Sequence, residues 1–370
     1  MKNSILGKRF FNDGHEIVVL TDLQRRARDS IYEKMLDGRY VSEVVKCPLC
    51  DGNSHITLSE KDFYGLPVKT VICRNCSMIY ANPRLSRDAL VGMYANEYRD
   101  LDRVHPTSGE YFELEIKKAE RIAEYLTKNG VLSKLNDKLI IEIGCGAGGA
   151  LHHFKKLGFN TMGCDLSPRN VEYGVSRGLD IRYGDIDALM LSLDFNFKDI
   201  GLVIYEQVFE HLSEPKLELE RLHGLLPKNS FLYIGVPGIK NIANHYGSDF
   251  LRFLQLPHLC HFELRTLVKL VQSTGFSFLC GDESARAIFS RSGVRSLLPV
   301  SDSNYLATIE YLRILEIRRK VAVPFRRLKE VPIILGMGLA SKIRNSRFIP
   351  QPIKSAASRF LKFAYHQFFK

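Results

Sequence analysis

Leu139 to Asp165 reads L-I-I-E-I-G-C-G-A-G-G-A-L-H-H-F-K-K-L-G-F-N-T-M-G-C-D. A strand, a turn with alternate glycines, a helix, a second strand and an acid follow one another: Leu139–Ile143, then Gly144, Gly146 and Gly148, then Ala150–Leu157, Asn160–Cys164 and Asp165. Glycines let the main chain pass close to a ligand where a Cβ would clash. A carboxylate about twenty residues further on accepts hydrogen bonds from ribose hydroxyls. The stretch therefore predicts a site for an adenosine-containing cofactor.

The spacing of the glycines narrows the choice of cofactor. A dinucleotide site needs G-x-G-x-x-G, because a helix N-terminus must meet a pyrophosphate. This chain has G-x-G-x-G instead, with Glu142 near the end of the strand. The pattern resembles motif I of class I S-adenosylmethionine-dependent methyltransferases, whose cofactor carries no phosphate. A Rossmann-type dehydrogenase and a glycine turn without a ligand are the alternatives.

Downstream segments extend this resemblance over Leu139–Ser290. Further short apolar runs predict the remaining strands: Ile181–Gly184, Ile200–Tyr205, Phe231–Val236, Phe276–Cys280 and Ala285–Ser290. After the fourth strand, the sequence E-Q-V-F-E-H-L of Glu206–Leu212 is similar to the family's V-L-E-H-L segment. Strands that alternate with helices predict an α/β fold with a doubly wound, mostly parallel sheet.

The resemblance also implies which residues hold S-adenosylmethionine. Asp165 would bind the ribose, and Asp185, after the third strand, would bind the adenine amine. The full implied set is Glu142, Gly144, Cys145, Gly146, Gly148, Asp165, Leu166, Asp185, Ile186 and Glu206. A non-catalytic binding protein with the same fold is an alternative, but the intact glycine loop and both acids argue against it.

Four cysteines upstream form a second motif, Cys47-Pro48-Leu49-Cys50 and Cys73-Arg74-Asn75-Cys76. Two C-x-x-C turns about twenty residues apart have the spacing of a zinc site. Four thiolates make the closed tetrahedral geometry that structural zinc prefers. Disulfides and a thioredoxin-like redox pair are the alternatives. Met1–Leu20 lacks the apolar core of a signal peptide, so a reducing compartment and one structural zinc are expected.

This upstream segment extends the family resemblance. Residues 73–83, C-R-N-C-S-M-I-Y-A-N-P, resemble the ribbon C-x-x-C-G-hydrophobic-x-x-x-N-P that precedes the core in some bacterial methyltransferases, and Ser77 replaces the usual glycine. Tyr94-Ala95-Asn96-Glu97-Tyr98 resembles the segment that follows this ribbon. Members of this group modify sugars of surface polysaccharides, antibiotics and other secondary metabolites. The resemblance thus implies a small-molecule or glycan acceptor.

Three histidines are candidates for the base that removes the proton of the acceptor. His211 follows the fourth strand, at the edge where cofactor and acceptor meet. His258 and His261 end a long segment, Gly238–His261, that is predicted to be a loop over the acceptor. An imidazole suits a hydroxyl proton near neutral pH, and His261 ranks first, then His258, then His211. The alternative is that His211 caps the helix near Ser213 and that a loop histidine only packs. Loop tyrosines that could line a sugar site are Tyr94, Tyr98 and Tyr246.

Charge is unevenly distributed along the 370 residues. The net charge is +11, yet thirteen basic residues and one acid lie between Arg318 and Lys370, so the remainder is about neutral. Apolar residues recur at helical spacing from Ile353, so Pro352–Lys370 is predicted to be an amphipathic helix. Such a helix can lie on an anionic membrane or dock on the protein's own core, and a basic tail also suits nucleic acid.

The chain is therefore divided into five regions: a leader at 1–43, a zinc ribbon at 44–84, a helical connector at 85–136, a methyltransferase core at 137–290 and a basic helical region at 291–370. No apolar run approaches the roughly 20 residues of a membrane span. We expect a cytoplasmic enzyme that can reach the inner face of the membrane. An RNA methyltransferase is the alternative function, although the ribbon lacks an aromatic, basic stacking face.

Overall fold

A computed structural model of the protein describes residues 4–102, 107–190, 197–291 and 303–321. The chain divides into two compact units, the first formed by Met1–Asn241 and Leu254–Tyr305, the second by Ile242–Phe253 and Leu306–Lys370. Among the described residues, no helix is long and apolar enough to cross a membrane.

The described strands, in chain order, are β1 (Ser42–Glu43), β2 (His55–Ser59), β3 (Thr70–Cys73), β4 (Ile79–Ala81), β5 (Arg84–Leu85), β6 (Leu139–Ile143), β7 (Asn160–Asp165), β8 (Ile181–Tyr183), β9 (Ile200–Glu206), β10 (Phe231–Gly235), β11 (Cys260–His261), β12 (Phe276–Asp282) and β13 (Arg286–Arg291). The described α-helices are α1 (Asp22–Leu36), α2 (Arg87–Asn96), α3 (Tyr98–Asp102), α4 (Ser108–Lys128), α5 (Gly149–Lys156), α6 (Pro168–Ser176), α7 (Ile186–Met190), α8 (Pro215–Leu225), α9 (Ile242–His245), α10 (Phe250–Phe253), α11 (Leu264–Ser273) and α12 (305–321). Short 3-10 turns occupy Lys8–Phe10, Leu132–Lys134, Phe197–Asp199, Phe209–His211 and Ile239–Asn241.

A seven-stranded sheet forms the centre of the first unit, in the order β12-β13-β10-β9-β6-β7-β8. The five neighbouring strands β10, β9, β6, β7 and β8 run parallel to one another, and β13 is antiparallel to both β10 and β12. This confirms the predicted α/β fold with a mostly parallel sheet. The strand order reverses at β6, which lies between β7 and β9. In such sheets, ligands bind at the carboxyl ends of the strands on either side of the reversal.

Local sequence explains why these elements form. The β6 sequence L-I-I-E-I is buried on both faces, as expected for a central parallel strand. The helix α5 buries Leu151 and Phe154, whose spacing places them on one face. It begins at Gly149, where a Cβ would lie 2.4 Å from the carbonyl oxygen of Phe112 in α4. Only glycine therefore permits this approach of α4 to the glycine loop.

A second, antiparallel sheet has the order β11-β4-β3-β2, and β1 pairs with β5. Its strand β11 comes from the segment after β10, and it pairs Cys260 with Tyr80 and His261 with Ile79. The prediction that Gly238–His261 is a loop is therefore partly wrong, because this segment contains α9, α10 and β11. The free main-chain groups at the edge of β4 bind the returning chain, and single-sequence periodicity carries no signal for such long-range pairing.

The described part of the second unit is helical. It contains α9, α10 and most of α12, and the rings of Tyr246 and Phe253 contact edge to face at 5.1 Å. In α12, the Arg319 guanidinium binds the Glu316 carboxylate at 2.6 Å. The predicted amphipathic helix Pro352–Lys370 lies outside the described residues.

Candidate active site and cysteine cluster

The glycine loop after β6 has a left-handed backbone at each of its alternate glycines. Gly144, Gly146 and Gly148 have φ angles of +67°, +57° and +83°, a region that other residues rarely adopt. The loop is anchored to the next strand, since the N–H of Cys145 donates to the carbonyl of Cys164 at 2.9 Å. A Cβ at Gly146 would lie 1.9 Å from Glu115 Oε1, so a side chain at this position would require Glu115 to move.

Asp165 lies directly beside this loop, at the carboxyl end of β7. Its Oδ2 accepts a hydrogen bond from the N–H of Gly146 at 2.9 Å, and its Oδ1 accepts one from the N–H of Ser167 at 2.8 Å. A carboxylate is also the type of group that accepts hydrogen bonds from the hydroxyls of a ribose. The side chain therefore shapes the loop and also offers the acceptor atoms that the sequence predicted.

The other predicted adenosine contacts lie at the ends of β7 and β8, which are neighbours in the sheet. Leu166 is 59% exposed immediately after Asp165, so its apolar side chain is free to cover a ligand. Asp185 is exposed and accepts a hydrogen bond from the N–H of Asp187 at 3.0 Å, whereas Ile186 is buried. The two strand ends thus bring together one apolar surface and two acids.

Buried carboxylates surround the point where the strand order reverses. Burial raises the pKa of Glu142 to about 8, and the negative charges of Glu206 and Asp165 add to this shift. Glu206 accepts a hydrogen bond from Tyr233 Oη at 3.2 Å, and burial raises its pKa as well. Within the described residues, Glu142 Oε2 is buried without a hydrogen-bond partner. An unpaired buried carboxylate is costly, and a cationic ligand would satisfy it.

Two residues of α4 complete this cleft, and the sequence reasoning missed both. Glu115 accepts a hydrogen bond from the N–H of Gly149 at 3.1 Å, and burial and the charge of Glu142 raise its pKa well above the ordinary value. Lys118 lines the same cleft with Glu142 and Glu206, and its positive charge opposes their raised pKa values. The sequence did contain a signal for them. Glu115 and Lys118 are three residues apart, on the side of α4 that also carries the buried Ala119, so their spacing places two charged residues on an inward-facing side of this helix.

The four predicted cysteines converge on one point. The Sγ atoms of Cys47 and Cys76 are 3.4 Å apart, those of Cys50 and Cys73 are 3.5 Å apart, and all four lie within 4.8 Å of one another. All four thiols are free rather than disulfide-bonded. Thiolates bound to a tetrahedral zinc at about 2.3 Å are about 3.8 Å apart, so the residues present fit such an ion.

The two C-x-x-C turns have the same backbone. The N–H of Asp51 donates to the carbonyl of Cys47 at 2.9 Å, and the N–H of Ser77 donates to the carbonyl of Cys73 at 3.0 Å. Asp51 and Ser77 have φ angles of +57° and +69°. This left-handed position explains why glycine is usual where Ser77 stands. The serine hydroxyl makes a contact that glycine lacks, since it accepts a hydrogen bond from the N–H of Asn304 at 2.7 Å.

The three predicted histidines also come together, with Tyr94 beside them. The ring centroids of His211 and His258 are 4.8 Å apart, and those of His258 and His261 are 6.2 Å apart. His211 Nδ1 lies 2.9 Å from Tyr94 Oη and 3.0 Å from the carbonyl oxygen of Pro257. The helix α8 has no side-chain cap at its N-terminus, so His211 is not its cap.

Burial keeps these histidines neutral. It lowers the pKa of His211 to about 4 and that of His261 to about 3, and it lowers the pKa of His258 well below the ordinary value. Burial also raises the pKa of Glu210, the neighbour of His211, to about 8. Of the tyrosines predicted to line a sugar site, Tyr94 and Tyr98 lie together, with ring centroids 4.7 Å apart in an edge-to-face contact. Tyr246 belongs to the second unit.

Comparison with known protein families identifies one domain in the chain. Residues 114–280 match the family model described as a methyltransferase domain. The chain therefore carries a methyltransferase domain, and the predicted S-adenosylmethionine-dependent methyltransferase is confirmed. No curated protein sequence matches the chain.

Solved structures of methyltransferases are similar to about half of the chain. One is an S-adenosylmethionine-dependent methyltransferase from Clostridium acetobutylicum, at 13% identity over 54% of this chain and 96% of that chain, with a TM-score of 0.35. Another, from Thermotoga maritima, is described as an S-adenosylmethionine-dependent methyltransferase, possible histamine N-methyltransferase; it has 14% identity over 49% of this chain and 99% of that chain, with a TM-score of 0.32. Human N-acetylserotonin methyltransferase in complex with S-adenosylmethionine has 18% identity over 55% of this chain and 62% of that chain, with a TM-score of 0.34.

Proposed function

We propose that this enzyme transfers the methyl group of S-adenosylmethionine to a small-molecule or glycan acceptor, a sugar of a surface polysaccharide or secondary metabolite. The observation that carries the proposal is the cluster of His211, His258 and His261 near the carboxyl end of β9, beside the cofactor cleft. The sugar class rests on the resemblance of the cysteine ribbon to that of sugar-modifying methyltransferases.

The cofactor would lie across the glycine loop. Asp165 would accept the ribose hydroxyls, and Leu166 and Ile186 would flank the adenine beside Asp185. The unpaired carboxylate of Glu142 would bind the positively charged end of the cofactor, with Glu206 nearby. Bound S-adenosylmethionine supplies an electrophilic methyl group on a sulfonium. The chain's own task is to hold both reactants at attack distance in a site that excludes water.

We place the acceptor next to His211 rather than His261. In one tautomer of the neutral His211, Nδ1 carries the proton and donates it to the carbonyl of Pro257. Its Nε2 then has a free lone pair that can interact with a hydroxyl of the acceptor. His261 is 3% exposed on β11, where its main chain pairs with Ile79. We therefore assign it a packing role rather than direct contact with the acceptor.

We also propose that the four-cysteine cluster holds one structural zinc. The supporting observation is the convergence of the thiols where two identical turns meet. A zinc there would hold β3 to the segment before β2. It would thereby fix β4, whose other edge binds β11 and the histidine that β11 carries.

The test of the proposed function is a methyl-transfer assay with a panel of nucleotide sugars. Purified enzyme is incubated with methyl-labelled S-adenosylmethionine and each sugar, and mass spectrometry identifies products that gain one methyl group. We expect transfer to at least one sugar, and its loss in His211→Asn with unchanged cofactor affinity. Label transfer to RNA but to no sugar would overturn the proposed acceptor, and absence of cofactor binding would overturn the site.

A further inference from the structure

Glu210, His211 and His258 form a second group of metal-ligating side chains, far along the chain from the cysteines. One carboxylate oxygen of Glu210 and one ring nitrogen of each histidine all lie within 4.8 Å of one another. Ligands bound to one ion at about 2.1 Å are up to roughly 4.2 Å apart, so only a small contraction is needed. Because main-chain pairing brings the N–H of Leu259 to the carbonyl of Glu210 at 2.9 Å, the fold itself holds His258 beside this pair.

The carboxylate of Glu210 is the least satisfied group in this cluster. Glu210 is 2% exposed, and within the described ranges neither of its oxygens has a side-chain hydrogen-bond partner. Its own main-chain N–H and the charge of Lys118 oppose the effect of burial, and Nε2 of the neutral His211 lies 3.8 Å from Oε1. A buried acid with so few partners costs free energy, and binding a cation reduces this cost.

The orientation of His211 matches that of a metal ligand. His211 Nδ1 lies 3.0 Å from the carbonyl oxygen of Pro257, and in the tautomer that donates to this carbonyl the lone pair of Nε2 is on the side of Glu210. Histidines that bind metals almost always donate their other ring N–H to a carbonyl or carboxylate, because this fixes the tautomer and orients the ring. The second histidine, His258, is 8% exposed, so its ring is buried with the pair.

We infer that Glu210, His211 and His258 bind one divalent first-row transition metal that holds an oxygen of the acceptor. Two imidazoles and one carboxylate leave coordination positions open for water or substrate, and this ligand set favours manganese, iron, cobalt or zinc over calcium. The inference rests on the proposed function, which it deepens by naming how the histidine cluster binds the acceptor. A cation there would polarise a hydroxyl or carbonyl oxygen beside the cofactor cleft.

Mn²⁺ is the probe that separates this site from the cysteines, because manganese prefers oxygen and nitrogen ligands whereas thiolates select zinc. Full-length enzyme, stripped of loosely bound metal by dialysis against a chelator, is titrated with Mn²⁺. Electron paramagnetic resonance then measures the free ion. We expect one saturable site per chain, weakened at least about tenfold in both Glu210→Gln and His258→Asn. Mn²⁺ should also raise the Tm of the wild type but not that of Glu210→Gln.

Matched controls are Glu220→Gln and His245→Asn, which remove the same groups from exposed positions. Both should bind Mn²⁺ as the wild type does. Circular dichroism establishes that each variant is folded, and His258→Gln replaces His258→Asn if the latter is not. Absence of saturable binding, or equal binding in all variants, overturns the inference. Cofactor affinity and methyl transfer are measured in parallel without metal, so failure of the metal site is distinguishable from failure of the proposed function.

Discussion

Asp165 combines an observed structural role with a proposed role in ligand binding. It accepts hydrogen bonds from the N–H groups of Gly146 and Ser167, and so stabilises the conformation of the glycine loop. The resemblance to methyltransferase motif I also assigns it a proposed role in binding the cofactor ribose. A substitution at this position therefore acts both on the ligand contact and on the shape of the loop that surrounds it.

Replacing Asp165 with alanine is expected to weaken binding of S-adenosylmethionine. Hydrogen bonds to a charged group contribute about 1.5–3 kcal/mol, which corresponds to a loss of roughly ten- to a hundredfold in affinity. Isothermal titration calorimetry measures the change. Asp180→Asn, which removes an exposed carboxylate at the start of β8, is the control and should bind normally. An unchanged affinity in folded Asp165→Ala would contradict this assignment.

The buried carboxyl of Glu142 predicts a pH dependence of stability. Its pKa is raised to about 8 in the folded protein, from the ordinary 4.5. Between these values, the folded state binds the proton and the unfolded state does not. The contribution of this group is therefore fully present below about pH 4.5 and is lost as the pH rises through 8.

Glu142→Gln should accordingly flatten the fall in stability between pH 4.5 and 8, because the amide does not titrate. Chemical unfolding of the cofactor-free protein across this range provides the measurement, with Glu220→Gln as the exposed control. In the wild type, S-adenosylmethionine should bind more tightly as the carboxylate forms. A Glu142→Gln protein with the pH profile of the wild type would show that the carboxyl is already ionised.

Short elements connect the cysteine cluster to the acceptor site. The two C-x-x-C turns position β3, β3 pairs with β4, and β4 pairs with β11, which carries His261. Both turns need a left-handed residue after the second cysteine, and Ser77 takes this position while its hydroxyl binds the N–H of Asn304. Loss of a metal from the cluster would therefore also be expected to disturb β11, which lies outside the ribbon.

Purified protein should contain one zinc per chain, and Cys73→Ser should lose it. With three thiolates left, the site is open and the β2–β3 hairpin loses its cross-link, so we expect local unfolding. Elemental analysis measures the metal, and hydrogen exchange of residues 47–81 measures the unfolding. Cys280→Ser is the control, since Cys280 lies outside the cluster. Metal-free wild type, freshly prepared under reducing conditions, would reject the zinc.

The distribution of charge distinguishes the C-terminal region from the rest of the chain. Thirteen basic residues and one acid between Arg318 and Lys370 account for more than the net charge of +11. Each basic residue near an anionic lipid surface contributes about 1 kcal/mol, and buried Phe and Leu side chains add to this. The region therefore remains a predicted contact with anionic membranes.

Co-sedimentation with liposomes tests this contact. We expect binding that requires anionic lipid, weakens with salt and disappears on truncation at Pro350, because the interaction is electrostatic. Methyl transfer to a soluble acceptor should survive the truncation. If truncation instead unfolds the enzyme and liposomes never retain the full chain, the predicted helix packs on the protein itself.

Short-range patterns were sufficient for the central sheet and the cofactor loop. The strand at Leu139–Ile143 was predicted residue for residue, because a buried parallel strand between turn residues has a clear local signal. The glycine turn after this strand and the convergence of the cysteines followed from spacing, since a C-x-x-C turn by itself directs two thiols to one point. Each of these features depends on residues close together in the chain.

Long-range packing decided the rest. Three contacts of the site join residues that are 34 to 182 positions apart in the chain. They are the strand pairing of His261 with Ile79, the hydrogen bond between Glu115 and Gly149, and the proximity of Glu210 to His258. No periodicity encodes such contacts, because they depend on which sheet edge is free and which helix face is covered. The same packing removes Glu142 and Glu210 from water, and burial is what shifts their pKa values. Thus the residue types of the site could be inferred from local sequence, whereas their partners and charge states arise only in the folded protein.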